Sequence, residues 1–381
     1  MKKMKMMVVY GILIVLCIAA FGSYLIKNMP SRSAADGAKT AAQADEGTSP
    51  ASSEDKSKAK SVLVKKAENP RFKNEEEKNR HVEELIKKAG GEPDPNPVVG
   101  IGRGEDYAKV TEEAIQNAGG LKDIVKKGDM VLIKPNLCTM ALPDSARTTD
   151  YRAVQKVADM AWQCGASSVI VAEGNFYGNA FDEFNLKDSK YGSLTGVEFY
   201  NFNDAEKENC YELKPEKSLV GKGILVPKIF MDADVVINVA KMKTHFIPQA
   251  VVSLSLKNCF GIPPAKLYGG SGDKGGLHGL GMMEVILDLN RIRRPELNVI
   301  EGIVGGEGHG PVNNTPVKSN IMLAGKDPVA LDTVGLSFMG FKVEDVPHVQ
   351  RAGEEKIGIS DLSKIKVNGA DLNSIKMKFD R

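Results

Sequence analysis

The alternation of apolar and polar positions predicts a main domain that begins near residue 98. Short apolar runs, as at Met130–Ile133, Ser168–Ala172 and Val235–Val239, predict buried strands. Between the runs, apolar residues recur every three or four positions, as at Tyr107–Ala118 and Tyr151–Cys164, which predicts helices. Strands made of nearly continuous Val, Ile and Leu are typical of sheets that are buried on both faces. The pattern therefore predicts an α/β fold with a largely parallel sheet and flanking helices.

The same pattern predicts further elements as far as the C-terminus. Asp327 and Pro328 open a helix that is expected to reach Phe338, because Asp is a good helix cap and Pro suits the first turn. The glycines between Gly302 and Pro311 predict a loop. The remaining expected strands are Val98–Ile101, Val197–Phe202, Leu297–Ile300, Asn320–Ala324 and Ile365–Val367, and the remaining helices are Leu280–Ile292 and Val346–Lys356.

The first 27 residues have a different pattern. Lys2, Lys3 and Lys5 precede an uncharged, mostly apolar segment, Met6–Ile26, which is about long enough to cross a bilayer as a helix. Positive charge before the segment predicts a cytoplasmic N-terminus, with the rest of the chain outside the cytoplasm. We favour a signal anchor, with a cleaved signal peptide ending near Ala20–Gly22 as the alternative. The expected location is the cell membrane, as a single-pass protein, or the exterior if the segment is cleaved.

Two regions separate this segment from the main domain. Residues 28–60 are rich in Ser, Ala, Asp, Lys and Gly and poor in large apolar residues, which predicts a disordered tether. Residues 61–97 contain a helical pattern with Val82, Leu85 and Ala89 on one side, and Gly90–Gly91 ends it. We interpret residues 61–97 as a helical stalk and residues 98–381 as the α/β domain.

Charge and cysteine content argue against several classes of function. The net charge is +2 and no basic stripe is visible, so nucleic-acid binding is not expected. No pair of the five cysteines has CxxC spacing, which argues against an iron–sulfur cluster or a structural zinc site. No P-loop and no GxGxxG after a strand is present, so no nucleotide cofactor is expected. Buried free thiols are the favoured interpretation of the cysteines.

Polar residues recur where the predicted strands end. In open α/β sheets, ligands bind outside the carboxyl ends of the strands. These side chains are therefore expected to converge on one crevice, and a structure with Asn136, Lys243 and Glu301 on different faces would contradict this. The residues are Lys134, Asn136, Glu173, Asn175, Lys241, Lys243, His245 and Glu301.

The segments that carry these residues resemble the family catalogued as "domain of unknown function 362", over roughly residues 98 to 340. The resemblance implies the fold and the positions of the site, but it implies no reaction. Some relatives carry a ferredoxin-like cysteine cluster, which this chain lacks, so built-in electron transfer is not implied. The matching segments, in order, are Val131–Leu137, Asp234–His245, Leu254–Gly261, Glu301–Gly302 with Gly308–Pro311, and Ala324–Asp332.

Lysine and amide side chains in these segments suggest an anion site. Ammonium groups and amide donors suit phosphate or carboxylate, and glycines at 269–272 and 275–276 would let backbone amides approach. Solvated loop lysines are the alternative. The candidates for binding the substrate are Lys134, Asn136, Lys241, Asn258 and His278, and the candidates for catalysis are Lys243, His245, Lys257 and His309.

Histidines are the second group of candidate site residues. His245, His278 and His309 are expected in loops, where imidazoles combined with a carboxylate would serve acid–base chemistry or hold a divalent metal. No HExxH or HxH motif is present, so the sequence does not decide whether a metal is bound. His81 and His348 are expected to be surface residues. Cys259 is expected to be a buried thiol rather than a nucleophile.

Two functions fit these residues. The first is an extracytoplasmic, membrane-tethered enzyme that acts on a small anionic substrate, with or without a metal. Lysines would orient the anion and a histidine would move a proton. The second is a non-catalytic module that binds an anion or a metal at the membrane surface. The sequence does not identify the substrate, the reaction or the oligomeric state.

Overall fold

The computed structural model describes residues 56, 58–64, 68–137, 141–175, 180–269 and 274–381. The predicted membrane segment, the tether up to residue 55, Cys17, Cys138 and the glycines at 270 and 272 lie outside the described residues. Within the described residues, no helix is both long and apolar enough to cross a membrane.

The core of the described chain is one large sheet. Its strand order is β1–β5–β4–β3–β8–β10–β11–β2–β12, and β9 pairs with β8. Neighbours are parallel except for the β10–β11, β11–β2 and β8–β9 pairs, so the predicted largely parallel sheet is confirmed. The strands are β1 (Val62–Leu63), β2 (Val98–Arg103), β3 (Met130–Pro135), β4 (Ser168–Glu173), β5 (Glu198–Asn201), β6 (Cys210–Leu213), β7 (Ile224–Pro227), β8 (Val235–Thr244), β9 (Val252–Ser253), β10 (Leu297–His309), β11 (Asn313–Gly325) and β12 (Lys366–Gly369). The pair β6–β7 forms a separate antiparallel ribbon.

Helices cover both faces of the sheet. Successive residues of a strand point to opposite faces, so Val131 and Ile133 join one apolar cluster while Leu132 joins the other. Helices α2 and α3 contribute to the first cluster, and α1, α8, α9 and α10 contribute to the second. The helices are α1 (Glu75–Ala89), α2 (Tyr107–Asn117), α3 (Tyr151–Gln163), α4 (Glu183–Asp188), α5 (Lys228–Asp232), α6 (Ser255–Asn258), α7 (Gly275–His278), α8 (Met282–Ile292), α9 (Pro328–Met339), α10 (Pro347–Glu354) and α11 (Leu372–Ile375).

Aspartate caps set the starts of the helices nearest the site. The side chain of Asp150 accepts a hydrogen bond from the backbone N–H of Arg152 and caps α3. Asp327 caps α9 by accepting from two backbone N–H groups, and Pro328 occupies the first turn, as predicted. In α1, Val82, Leu85 and Ala89 are buried, and the first two pack into the main apolar core. The predicted stalk region therefore contributes to the core.

The loop predicted from the glycines between Gly302 and Pro311 is wrong. Strand β10 continues to His309 and pairs with β11 as a long hairpin. The glycines allow close approach rather than a turn. A Cβ on Gly306 would lie 2.1 Å from Nδ2 of Asn314 and 3.0 Å from the backbone oxygen of Ala146, so a larger residue would displace the Asn314 side chain.

Candidate functional site

Strand β8 is five residues longer than its predicted end at Val239. Lys241 and Lys243 therefore lie on the strand rather than in a loop, and both are buried. Their positions alternate with Met242, so the two lysines point to the same face of the sheet. The strand thus places two cationic side chains in the interior, where each needs polar partners.

Lys241 is neutralised by Glu301. The two residues lie directly opposite each other in the parallel β8–β10 pair and form a fully buried ion pair. Glu301 also accepts hydrogen bonds from the backbone N–H groups of Ile303 at 3.0 Å and Asp150 at 3.3 Å. Burial raises the pKa of Glu301, and the adjacent Lys241 opposes that shift. Lys241 is therefore bound within the protein and is not presented to a ligand.

Lys134 is neutralised in the same way by Glu173. Its Nζ lies 2.9 and 3.0 Å from the two carboxylate oxygens, and both side chains are buried. The backbone N–H groups of Leu137 and Gly174 also donate to this carboxylate. The backbone of Gly261 packs directly against this ion pair. A Cβ at this position would lie 2.5 Å from Oε1 of Glu173, so glycine is required there.

Amide side chains connect Lys243 to the Lys134 ion pair. Nζ of Lys243 donates to Oδ1 of Asn136 at 2.9 Å and to the backbone oxygen of Arg147 at 2.7 Å. Nδ2 of Asn136 donates to Oδ1 of Asn258 at 2.9 Å, and that oxygen lies 3.4 Å from Nζ of Lys134. Asn136 and Lys243 therefore meet at the carboxyl edge of the sheet.

His245 follows β8 and is 3% exposed. Its Nδ1 accepts a hydrogen bond from the backbone N–H of Ile247 at 3.1 Å, which places the proton of the neutral ring on Nε2. Burial lowers the pKa of His245 well below its usual value, and Lys257, Lys243, His278 and His348 lower it further. His245 is therefore a neutral hydrogen-bond donor in a cationic neighbourhood.

Lys257 and His278 both contact the ring of Phe260. Nζ of Lys257 is 5.9 Å from the centre of the Phe260 ring, and the His278 ring meets it edge-on at 4.8 Å. Both polar side chains are half-buried. Lys257 and Asn258 belong to α6, a single turn of helix that begins at Ser255.

Asp332 fixes the start of α6. Its carboxylate accepts from the backbone N–H groups of Ser255 at 2.8 Å and Leu256 at 3.0 Å. Burial raises the pKa of Asp332 to about 8, and the two backbone donors oppose the shift. Asp332 therefore positions the turn that presents Lys257.

Three further histidines and one cysteine were also singled out from the sequence. The surface prediction for His348 is wrong, since the ring is fully buried, and burial together with Lys257 lowers its pKa to about 3. His81 is half-buried against Phe72. His309 is exposed at the end of β10. Cys259 is a buried free thiol whose pKa burial raises to about 12, as its apolar neighbours suggested.

Sequence reasoning missed Lys274, which immediately precedes α7. The residue is 2% exposed, and its Nζ donates to the backbone oxygens of Gly174 at 2.9 Å and Gly261 at 2.7 Å. Its neighbours in sequence are glycines and polar residues, so no apolar pattern signals burial. The αL backbone conformation, with φ of 51°, was likewise not detectable.

The described residues contain no group of three or more His, Cys, Asp or Glu side chains arranged to hold a metal ion. Two surface cavities, of about 330 Å³ beside Arg71 and about 520 Å³ beside Lys127, lie away from the candidate residues, and His81 is the one histidine described above that lines either of them. We therefore place the candidate site by the chemistry of its side chains.

This chain is similar to a curated relative and, more remotely, to solved structures. A thylakoid-associated protein of Synechocystis sp. is 27% identical over 249 residues, which are 65% of this chain and 73% of that protein. The lactate racemase apoprotein of Thermoanaerobacterium thermosaccharolyticum has a TM-score of 0.40 at 13% identity, covering 65% of this chain and 58% of the racemase. A Thermotoga maritima protein has a TM-score of 0.37 at 12% identity, covering 71% of this chain and 62% of its own. This chain thus spans less than two thirds of either solved structure, and such TM-scores are too low to carry an inference.

The family comparison covers the region that holds the site. The model of one family matches residues 131–337, which is more than half of the chain. The matched region includes the ion pairs of Lys134 and Lys241. It also includes His245 and three of the basic residues around it, Lys243, Lys257 and His278. The chain belongs to the family described as "domain of unknown function (DUF362)".

Proposed function

We propose that this protein is an enzyme that binds a small phosphate- or carboxylate-bearing substrate at the carboxyl edge of its sheet. The observation that carries the proposal is the cluster of basic side chains around His245. Lys243 lies two residues before it at the end of β8, and Lys257 and His278 are close enough to lower its pKa in addition to burial. An anion next to these groups would relieve their mutual repulsion.

The lysines of the region divide into two classes. Lys134 and Lys241 hold buried carboxylates and build the scaffold. Lys243 and Lys257 sit closer to His245, and we assign them to the anion. A neutral imidazole with Nδ1 occupied donates from Nε2, so His245 would add a neutral hydrogen bond to the same ligand.

Catalysis would need a group that moves a proton. His245 is poorly suited because its accepting nitrogen is already occupied by the N–H of Ile247. We assign proton transfer instead to His278, which is half-buried beside Phe260 and close enough to His245 to shift its pKa. This differs from the role that the sequence suggested for His245. In this proposal Lys243, Lys257 and His245 hold the anion, and His278 moves the proton.

Anion titration tests this proposal. Inorganic phosphate and acetate would be titrated into the 381-residue chain by calorimetry, with Lys257→Gln as the test variant and Lys87→Gln, on the exposed surface of α1, as the matched control. A hydrogen bond to a charged group contributes roughly 1.5–3 kcal/mol, so we expect about 10- to 100-fold weaker binding in Lys257→Gln. Binding that is unaffected in Lys257→Gln, or no binding at all, would contradict the proposal.

A non-catalytic anion-binding module would use the same lysines. Turnover of candidate substrates by the unaltered chain distinguishes the two functions, and His278→Gln then tests the assignment of proton transfer. An enzyme would lose turnover while its affinity for phosphate stayed within a few-fold of that of the unaltered protein. A binding module would show no turnover in either form.

We also propose that the protein is associated with a membrane. The apolar segment Met6–Ile26 and the description of the Synechocystis sp. relative as thylakoid-associated support this. In a membrane fraction washed with alkaline carbonate, the full chain should stay in the pellet and a chain without residues 1–27 should not. Release of the full chain by carbonate would contradict an integral anchor.

A further inference from the structure

Lys274 differs from Lys134 and Lys241 in its partners. Those two lysines each pair with a carboxylate, whereas Nζ of Lys274 donates to the backbone oxygens of Gly174 and Gly261. Among the described residues, no carboxylate lies within ion-pair distance of it. The positive charge of a protonated Lys274 is therefore buried with two neutral acceptors.

The two acceptors match a neutral amine better than an ammonium group. An ammonium group has three N–H donors, and the third finds no acceptor among the residues that the structure describes. A neutral amine donates both of its hydrogens to the two carbonyls and keeps its lone pair available. Burial, with smaller contributions from Lys134 and Lys257, lowers the pKa of Lys274 to about 7, although Glu173 opposes the shift.

Lys274 also adjoins the groups assigned to the anion. The Gly261 oxygen that holds its amine belongs to the residue after Phe260, and the Phe260 ring contacts both Lys257 and His278. Nδ1 of His278 lies 3.1 Å from the backbone oxygen of Lys274. The amine of Lys274, the cation of Lys257 and the imidazole of His278 are therefore grouped around residues 260 and 261.

We propose that Lys274 is a nucleophile that forms an imine with a small carbonyl compound whose anionic group is held by Lys257. This proposal names the substrate class of the same site, and for the anionic group it rests on the proposed function. The compound is a 2-oxo acid or a phosphorylated aldehyde or ketone, since both present a carbonyl close to an anion.

The reaction needs no redox partner. The lone pair of Nζ attacks the carbonyl carbon and forms a carbon–nitrogen bond. The carbonyl oxygen then leaves as water, taking the two hydrogens of the amine, and His278 shuttles these protons. Since Nζ is held only by two backbone carbonyls, substrate entry breaks two hydrogen bonds but no ion pair.

Reductive trapping tests the proposal. The 381-residue chain would be incubated with pyruvate and sodium cyanoborohydride at pH 7.5, digested, and mapped by mass spectrometry. We expect the reduced adduct at Lys274 to form at least about tenfold faster than at exposed Lys87, because at this pH a much larger fraction of Lys274 is neutral. Modification of Lys274 no faster than that of Lys87 would overturn the proposal, and this comparison needs no variant.

Acetone and Lys257→Gln separate the imine from the anion site. Acetone has a carbonyl but no charge, so Lys257→Gln should slow trapping by pyruvate about tenfold more than it slows trapping by acetone. If Lys274 reacts equally well with both compounds in the unaltered chain, the anionic substrate class is overturned while the nucleophile stands. If phosphate binds but Lys274 does not react, the nucleophile is overturned while the anion site stands.

Discussion

The buried amine of Lys274 predicts a specific dependence of stability on pH. The pKa falls from an ordinary 10.5 to about 7 on folding, so between these values the unfolded chain binds more protons than the folded chain. Stability therefore rises with pH across this window, and the penalty is present in full below about pH 7. At about 1.4 kcal/mol per pKa unit, the full penalty is on the order of 5 kcal/mol.

Lys274→Met removes this ionisation. Between pH 7 and pH 9, linkage predicts that the unaltered protein gains about 2 kcal/mol of unfolding free energy that the variant does not gain. The constant effect of losing two hydrogen bonds to carbonyls cancels in this comparison, since it acts at both pH values.

Urea denaturation at pH 7 and pH 9 measures the effect. Lys87→Met is the matched control, and its pH dependence should equal that of the unaltered protein because Lys87 is exposed. An equal gain for Lys274→Met and the unaltered protein, within about 0.5 kcal/mol, would show that Lys274 stays charged in the folded state. If Lys274→Met does not fold, the pH dependence of reductive trapping at Lys274 reports the same pKa.

Three further predictions follow from the buried groups. Lys134→Met should destabilise the protein by about 3–5 kcal/mol in urea denaturation, because it leaves the carboxylate of Glu173 buried and unpaired. The double variant with Glu173→Leu should recover part of that loss, and no recovery would argue against a buried ion pair. Asp332→Ala should lower the free energy of unfolding by about 2–4 kcal/mol and also weaken phosphate binding. The control Asp371→Ala, at an exposed helix cap, should lower the free energy of unfolding by about 1 kcal/mol or less, and equal losses would contradict the role of Asp332 in positioning α6. Cys259 should resist iodoacetamide in the native protein at pH 8 and react after denaturation, as peptide masses would show; rapid native alkylation would contradict its burial.

Much of the fold could be predicted from local pattern. The strand at Met130–Pro135 and the helix Tyr151–Gln163 carry unambiguous periodicity, and their caps follow ordinary side-chain preferences. The end of β8 could not be predicted in this way, because Lys241 and Lys243 look like loop residues in sequence. They remain in a strand because Glu301 and Asn136, more than 50 positions away, supply their partners.

The position of the candidate site could be predicted better than the roles of its residues. The rule that polar residues follow the ends of parallel strands brought Asn136 and Lys243 to the same edge. It could not show that Lys134 is neutralised by Glu173 while Lys274 has no carboxylate among the described residues. Ion pairing depends on contacts between distant segments, and the short apolar pattern around His348 gave no sign of its burial.

Locating a bound anion would test the cationic site most directly. Crystals of the chain soaked in selenate would be measured at the selenium edge, where anomalous scattering marks the anion without a model of the ligand. We predict a peak within hydrogen-bond distance of Nζ of Lys257 or Lys243, and we predict that Lys257→Gln reduces it. Ordered selenate at other lysines, with no peak beside Lys243, His245 or Lys257, would contradict the proposed function.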